Sequence, residues 1–370
     1  MSMELSRRTV LKAGVVSTLI APAASAEAAP ILKNGSDISW ITNYEAAGGK
    51  FFTTAGKVID PFALLKSVKA RVARIRVFVN PTYRNGRLSD ALNLAQRAKS
   101  AGLEVCLDFH FSDDWADPGK QWIPTGWSTT NVSLLASQLK NYVTTTLVEF
   151  SKRGISLDYV QLGNEITNGM LWPLGKIEGS NATQWRNLAT LYNAANTAFR
   201  TATPKAKSIL HLDCGGDATR VRWWLYQAWI YGLRDYDIIG LSYYPQWHGS
   251  LAQLTETLEV AAWEFGKPTL IAETAYPYTT QTFGGDVIDP TKSFLKGYPL
   301  TPSGQASFLR KLKSIVRDLP NNNGVCFWWW EGMAGRVTNG SQTVLDFGMT
   351  NSVLIDTRSR PLSALSGLSS

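Results

Sequence analysis

The chain predicts a single (β/α)8 barrel. Three features carry that expectation: eight short runs rich in Val, Ile and Leu, helical-period segments between them, and long irregular stretches that follow the runs rather than precede them. A parallel strand is covered on both faces, so it reads as near-continuously apolar. The runs are "NGSDISW" at 34–40, "ARIRVFV" at 73–79, "LEVCLDFHF" at 103–111, "DYVQLG" at 158–163, "SILHLD" at 208–213, "DIIGLSYY" at 237–244, "TLIAE" at 269–273 and "GVCFWWW" at 324–330. At 370 residues, 44% hydrophobic and 18% charged, the chain can bury a large core, and barrels of this size are commonly one domain. No short-period repeat and no Ser- or Pro-rich linker divides it.

Helices fit between the strands. One is expected over 61–70, with Asp60 as N-cap and Pro61 at the first position, and one over 90–100, stopping before Gly102. A longer helix at 131–152 places Leu135, Leu139, Tyr142, Val143 and Leu147 on one stripe before Gly154. Others are expected near 184–200, 219–231, 251–265 and 303–318, the last opened by Thr301 and Pro302, and a short eighth from Pro361. The irregular segments 112–130, 166–183, 274–301 and 331–352 all leave strand C-terminal ends. In barrels that rim carries the active site.

Residues 1–26 read as an export signal, with 27–370 as the barrel domain: a basic start, a mildly apolar stretch and the small-residue site Ala24-Ser25-Ala26. Arg7-Arg8 in "SRRTVLK" is similar to the twin-arginine type, which implies a periplasmic or extracellular destination. Cys106, Cys214 and Cys326 lie in or beside apolar runs, and an odd number cannot fully pair, so they are expected to be buried free thiols. Formal net charge is +8, of which +2 belongs to the export signal. The basic residues are scattered, without a nucleic-acid motif, so the excess implies at most attraction to acidic surroundings such as pectic material. No membrane span is expected, and the chain is expected to be a monomer.

Alternation along the strands places chemistry inside the barrel. Asp108 and His110 share a face opposite Leu107, Phe109 and Phe111, and Arg74 and Arg76 oppose Ile75, Val77 and Val79. An interior holding Arg and Asp requires charge pairing. Two strands end in a glutamate, Glu165 after the fourth and Glu273 after the seventh. Glycoside hydrolysis needs such a pair, one acid to protonate the leaving oxygen and one carboxylate to attack carbon or activate water. A lone strand-end Glu is as readily a loop cap, and His110 as readily a satisfied barrel histidine. Asp113, Asp114 and Asp117 form either a solvated acidic loop or a cation site; without regular ligand spacing for a structural calcium, the solvated loop is preferred, and no cofactor is expected. Trp40, Trp115, Trp122, Trp127, Trp172, Trp247 and Trp330 fall on the expected mouth, where flat apolar faces suit sugar rings. Trp223, Trp224, Trp229 and Trp263 fall on helices and are expected to pack there.

In order along residues 34–280, "GSDISW", "RVFVNP", "DFHFSDDWADPGKQ", "VQLGNEITNGMLWP", "LDCGGD", "GLSYYPQWHG" and "AETAYPYT" resemble the signatures of glycoside hydrolase family 53, with a weaker match at Trp330-Glu331. The resemblance implies an endo-β-1,4-galactanase acting on pectin side chains or arabinogalactan, with a retaining barrel in which Glu165 is the acid/base and Glu273 the nucleophile. It implies that Asn164 binds the sugar 2-hydroxyl, that Arg76, His110 and Tyr244 or Tyr243 surround the nucleophile, and that Asp37, Trp115, His248 and Trp330 contact substrate. On this reading Arg76 holds Glu273 ionised, and an apolar surrounding such as Trp172 or the tyrosines keeps Glu165 protonated. The sequence departs from the family pattern at "WWWEGMAG" and at Cys214 in "DCGGD", which bears on the subsite lining. The other readings are a hydrolase of another β-linked plant polysaccharide and a non-catalytic carbohydrate-binding barrel.

Overall fold

A computed structural model describes residues 31–369 apart from 83, 284–285, 293 and 340–341. The expected export signal lies outside the described residues. Eight parallel strands close into a barrel: β1 (Gly35–Asp37), β2 (Val72–Val77), β3 (Glu104–Phe109), β4 (Tyr159–Leu162), β5 (Lys207–Leu212), β6 (Ile238–Tyr243), β7 (Thr269–Thr274) and β8 (Gly324–Trp329). Each pairs with its sequence neighbours, and β1 closes the ring by pairing with both β2 and β8.

Seven longer helices cover the sheet: α1 (Pro61–Ser67), α2 (Leu88–Ser100), α3 (Val132–Lys152), α4 (Ala182–Ala202), α5 (Ala218–Ile230), α6 (Leu251–Glu259) and α7 (Pro302–Arg317). Their starts follow from side-chain capping of otherwise unpaired N–H groups. Asp60 accepts from the N–H groups of Phe62 and Ala63, Asn131 from that of Leu134, and Thr301 from that of Gly304. The helix expected over 251–265 changes to a π-turn at Val260–Glu264, and the eighth is the 3-10 helix Ser363–Leu368. Two small antiparallel pairs escape the pattern, Phe51–Phe52 with Val58–Ile59 and Val337–Asn339 with Gln342–Leu345, each too short to show a period.

Strand alternation sorts the core into two parts. Outward residues such as Ile75, Leu107, Val160, Leu210, Ile239, Ile271 and Phe327 join the helices in one large apolar cluster. Inward residues at the N-terminal end, Val72, Cys106, Tyr159, Ile209, Ile238, Leu270, Cys326 and Trp328, plug the barrel floor, with Trp328 edge-on to Tyr159 at 5.7 Å. All three cysteines are free and buried. Trp224 packs on its helix as expected, whereas Trp229 and Trp263 are 58% and 71% exposed. Removing the plug and trimming the surface should therefore differ sharply. Trp328→Ala should lose about 3–5 kcal/mol in urea unfolding, and Trp263→Ala less than about 0.5 kcal/mol.

Candidate active site

Above the apolar plug the interior turns charged. Arg74 projects from β2 into the barrel and is 1% exposed. Its guanidinium meets three carboxylates: Nη1 lies 3.0 Å from Asp37, and Nη2 lies 2.8 Å from both Asp108 and Glu273. It also donates to the side-chain oxygens of Gln161 and Asn164. Burial alone would lower the Arg74 pKa, but Asp108, Glu273 and Asp37 outweigh it and fix the cation. Burial would likewise raise Asp108, and Arg74, then His110, hold that carboxyl at about 2.

A bulge decides where Glu273 points. Leu270 and Ala272 face the barrel plug, so strict alternation would send Glu273 to the helices. Leu241 pairs with Ile271 but Ser242 with Glu273, and on the other side Trp328 alone stands opposite Ala272 and Glu273. The extra residue turns Glu273 inward. There one oxygen meets Arg74, and the other accepts from the Tyr244 hydroxyl at 3.0 Å.

Glu165 is aimed by a backbone in the left-handed region, φ 48° and ψ 50°, which an L residue adopts only under constraint. Gly163 just before it also has positive φ, 93°, and an added Cβ would lie 2.7 Å from the Ile166 side chain. Glu165 Oε1 lies 2.6 Å from Ser242 Oγ, and Ser242 Oγ lies 2.9 Å from His211 Nε2. His211 Nδ1 in turn lies 3.0 Å from Asn164 Oδ1. The Asn164 amide nitrogen donates to the Ala116 carbonyl at 2.9 Å.

The two glutamates therefore sit in different fields. Burial pushes both upward from the ordinary carboxylate range. At Glu165 the charges of Glu273, Asp213 and Asp117 push further, the Ser242 hydroxyl pulls back, and the group still stands well above the ordinary range. At Glu273 the Arg74 cation opposes burial, so the rise is smaller. Of the two, Glu165 keeps its proton to higher pH.

Both glutamates line one cleft of about 690 Å³, whose aromatic walls are Trp40, Trp115, Tyr244, Trp247, Trp330 and Phe347. Trp115, Trp330, Phe347 and Trp40 form a continuous row, with successive ring centroids 6.0, 4.8 and 4.9 Å apart. His110, Asn164 and His248 complete the lining among the expected residues. His110 is oriented from both ring nitrogens, by Asp108 at 3.1 Å and by the Ala116 N–H at 3.1 Å.

Three expected contacts belong elsewhere. Arg76 does not pair with Glu273: it meets Glu331 at 2.6 Å and Asp37 at 3.5 Å beneath the Trp115 ring, because it lies one inward step farther along β2 than Arg74. Asp37 is buried under the cleft, tied to Arg74, Arg76 and Ser39. Tyr243 faces the helix layer, donates to the Gly249 carbonyl and stacks on Phe308, since Ser242 and Tyr244 hold the inward positions of β6. Trp172 packs edge-on to Trp122 beside the cleft, and Trp127 on Tyr142. Asp113 and Asp117 order their own loop through backbone N–H groups, and among the described residues no three His, Cys, Asp or Glu side chains gather as metal ligands.

With this geometry in place, residues 33–368 match the model of glycosyl hydrolase family 53. The chain belongs to that family. It is a glycoside hydrolase. An arabinogalactan endo-β-1,4-galactanase of Cellvibrio japonicus is 35% identical over 303 residues, covering 80% of this chain and 79% of that protein. A probable arabinogalactan endo-β-1,4-galactanase A of Aspergillus fumigatus is 34% identical over 315 residues, covering 82% and 85%. Among solved structures, a fungal β-1,4-galactanase superposes with TM-score 0.80 at 30% identity, over 92% of this chain and 99% of that one. The family 53 catalytic domain of Ignisphaera aggregans gives 0.84 at 28% identity, over 91% and 95%.

Four buried groups of this hydrolase site escaped the sequence reading as site residues: Gln161, His211, Ser242 and Glu331. The signal for the first three was the one used for Asp108, a single polar residue at the inward position of an otherwise apolar strand. Glu331 follows β8 with φ 45° and accepts from the Trp40 N–H at 3.0 Å. The contrast between the two arginines is measurable. Arg74→Lys should raise the Glu273 pKa and move the acidic limb of the pH–activity profile up by about one unit, whereas Arg76→Lys should leave that limb in place.

Proposed function

We propose that this family 53 hydrolase cleaves β-1,4-galactan within the chain by double displacement. The observation that carries the reading is the asymmetry of the two carboxylates across one cleft: Glu273 is ion-paired to Arg74, while the charged groups around Glu165 are other carboxylates. An ionised group beside a group that holds its proton is what a nucleophile and an acid require. Galactan as substrate is supported by the names of the relatives.

In the first step Glu165 gives its proton to the leaving glycosidic oxygen as that bond breaks, and a Glu273 oxygen bonds the anomeric carbon. In the second, water attacks that carbon, its proton passes to Glu165, and Glu273 leaves as the carboxylate. Arg74 and the Tyr244 hydroxyl hold Glu273 in place, and Asn164, whose oxygen is held by Arg74 and Gln161, has an N–H left for the sugar 2-hydroxyl. The aromatic row stacks successive sugar rings. No cofactor enters these steps. A twin-arginine-like start supports a place outside the cytoplasm, where a polymer too large to be imported is met.

Incubation with β-1,4-galactan, xylan and mannan tests the reading through new reducing ends. Galactan alone should be cleaved, and NMR of the first products should show the β anomer. Glu165→Gln and Glu273→Gln should each lose about 10²–10⁴-fold. Azide should rescue Glu165→Ala with a β-galactosyl azide and Glu273→Ala with an α-galactosyl azide. Cleavage of xylan or mannan alone would transfer the activity to another β-linked polysaccharide, and binding without turnover would leave a carbohydrate-binding barrel.

A further inference from the structure

We propose that His211 and Ser242 are positioning residues that fix the proton on Glu165, through a one-directional hydrogen-bond chain running from Glu165 through Ser242 and His211 to Asn164. The inference rests on Glu165 being the acid/base.

The direction of the chain is set at its far end. Asn164 Oδ1 takes donors from Arg74 at 3.0 Å and from Gln161 at 3.2 Å, while the amide nitrogen donates to the Ala116 carbonyl. The atom facing His211 is therefore the oxygen, an acceptor. His211 Nδ1 stands 3.0 Å from it, and a hydrogen on Nδ1 makes that contact a hydrogen bond. The ring is fully buried, and burial with the nearby Arg74 charge keeps it neutral. A neutral imidazole protonated at Nδ1 has an acceptor at Nε2. The hydrogen that Nε2 receives is that of Ser242, 2.9 Å away.

A hydroxyl carries one hydrogen. With that hydrogen turned to His211, Ser242 presents only lone pairs to Glu165 Oε1 at 2.6 Å, a contact closed by a proton on the carboxyl. The opposite tautomer would bring two lone pairs together at 3.0 Å between His211 and Asn164. It keeps the donation from the Glu165 backbone N–H to Nδ1 at 3.3 Å, which protonation at Nδ1 gives up for the shorter contact with Asn164. When Glu165 delivers its proton, Ser242 rotates to donate to the new carboxylate, and His211 Nε2 loses its donor. Ionisation of Glu165 thus exchanges one buried hydrogen bond for another and leaves an acceptor unpaired, which opposes it.

The other groups facing this pair act from several elements. Glu273 on β7, Asp213 after β5 and Asp117 in the loop after β3 raise Glu165, and Tyr244 just after β6 lies beside both glutamates. Arg74 on β2, Asp108 on β3 and His110 just after it face His211. The carboxylates that raise Glu165 are left in place by changes at 211 or 242, so the variants test the chain against a constant field.

The chain makes a prediction of sign. In Ser242→Ala, Glu165 loses the acceptor of its acid proton; in His211→Phe, Ser242 is freed to donate permanently to the carboxylate. Both should move the alkaline limb of kcat/KM on galactan to lower pH by roughly half a unit to one unit, with the acidic limb unmoved. Aryl galactosides with good leaving groups, which need no acid, should lose much less rate than galactan. A shift upward, or none, would overturn the proposal, because Ser242 would then stabilise the ionised carboxylate at least as much as the protonated acid. Nitrogen-15 NMR of the unmodified protein reads the tautomer directly and does not depend on turnover or on the variants folding. With three histidines in the sequence, the His211 signal is the one that persists when His110 and His248 are each replaced in turn. A neutral ring protonated at Nδ1 supports the chain, and one protonated at Nε2 or at both nitrogens refutes it. Failure of azide rescue at Glu165 would instead remove the underlying assignment, whatever tautomer is found.

Discussion

The rest of the site depends on one buried cation. Arg74 stands where the barrel interior passes from apolar plug to open cleft, and a guanidinium there is tolerable only if carboxylates and amide oxygens surround it. Asp37, Asp108 and Glu273 supply the charge, and Gln161 and Asn164 fill the remaining donors. These partners come from β1, β3, β4 and β7 and from the turn after β4, so one planar group ties strands on opposite sides of the ring. Its fork geometry is what allows five partners at once, and a lysine point charge has no equivalent reach.

That arrangement makes the two glutamates unequal. Both are buried at one mouth, and each is penalised for being charged, but only Glu273 has the cation beside it. A second arginine–carboxylate set, Arg76 with Asp37 and Glu331, lies under Trp115 and fixes the wall rather than the chemistry. Part of the backbone strain lies on the same rim. Phe111, Glu165 and Glu331, the residues at which the chain leaves three of the strands, all have positive φ. The rigid ring over-determines them, and that is the condition under which such conformations persist at functional sites.

Much of this was legible in the sequence because it depends on period. Continuous apolar runs with helical segments between them gave the eight strands in order, and the start signals Asp60 and Thr301 placed helix starts to within a residue or two. Alternation put Arg74, Arg76, Asp108 and His110 inside. The same alternation separates Tyr243 from Tyr244, although the sequence reading left that choice open. What period does not carry is distance along the barrel axis. Arg74 and Arg76 share a face, and which of them meets Glu273 follows from strand stagger, a property of the closed ring.

The sequence by itself determined the barrel, the location of the working end and the two glutamates, because hydrophobic period and strand-terminal position are local features. Tertiary structure alone decided how those glutamates act. Glu273 turns inward through a bulge that contradicts its own alternation, and the bulge exists only as a mismatch of register with β6 and β8. Glu165 gains its surroundings from Ser242 and His211, residues on two other strands. Charge state inside a protein depends on which groups burial brings together, and residues far apart in the chain meet only when the ring closes.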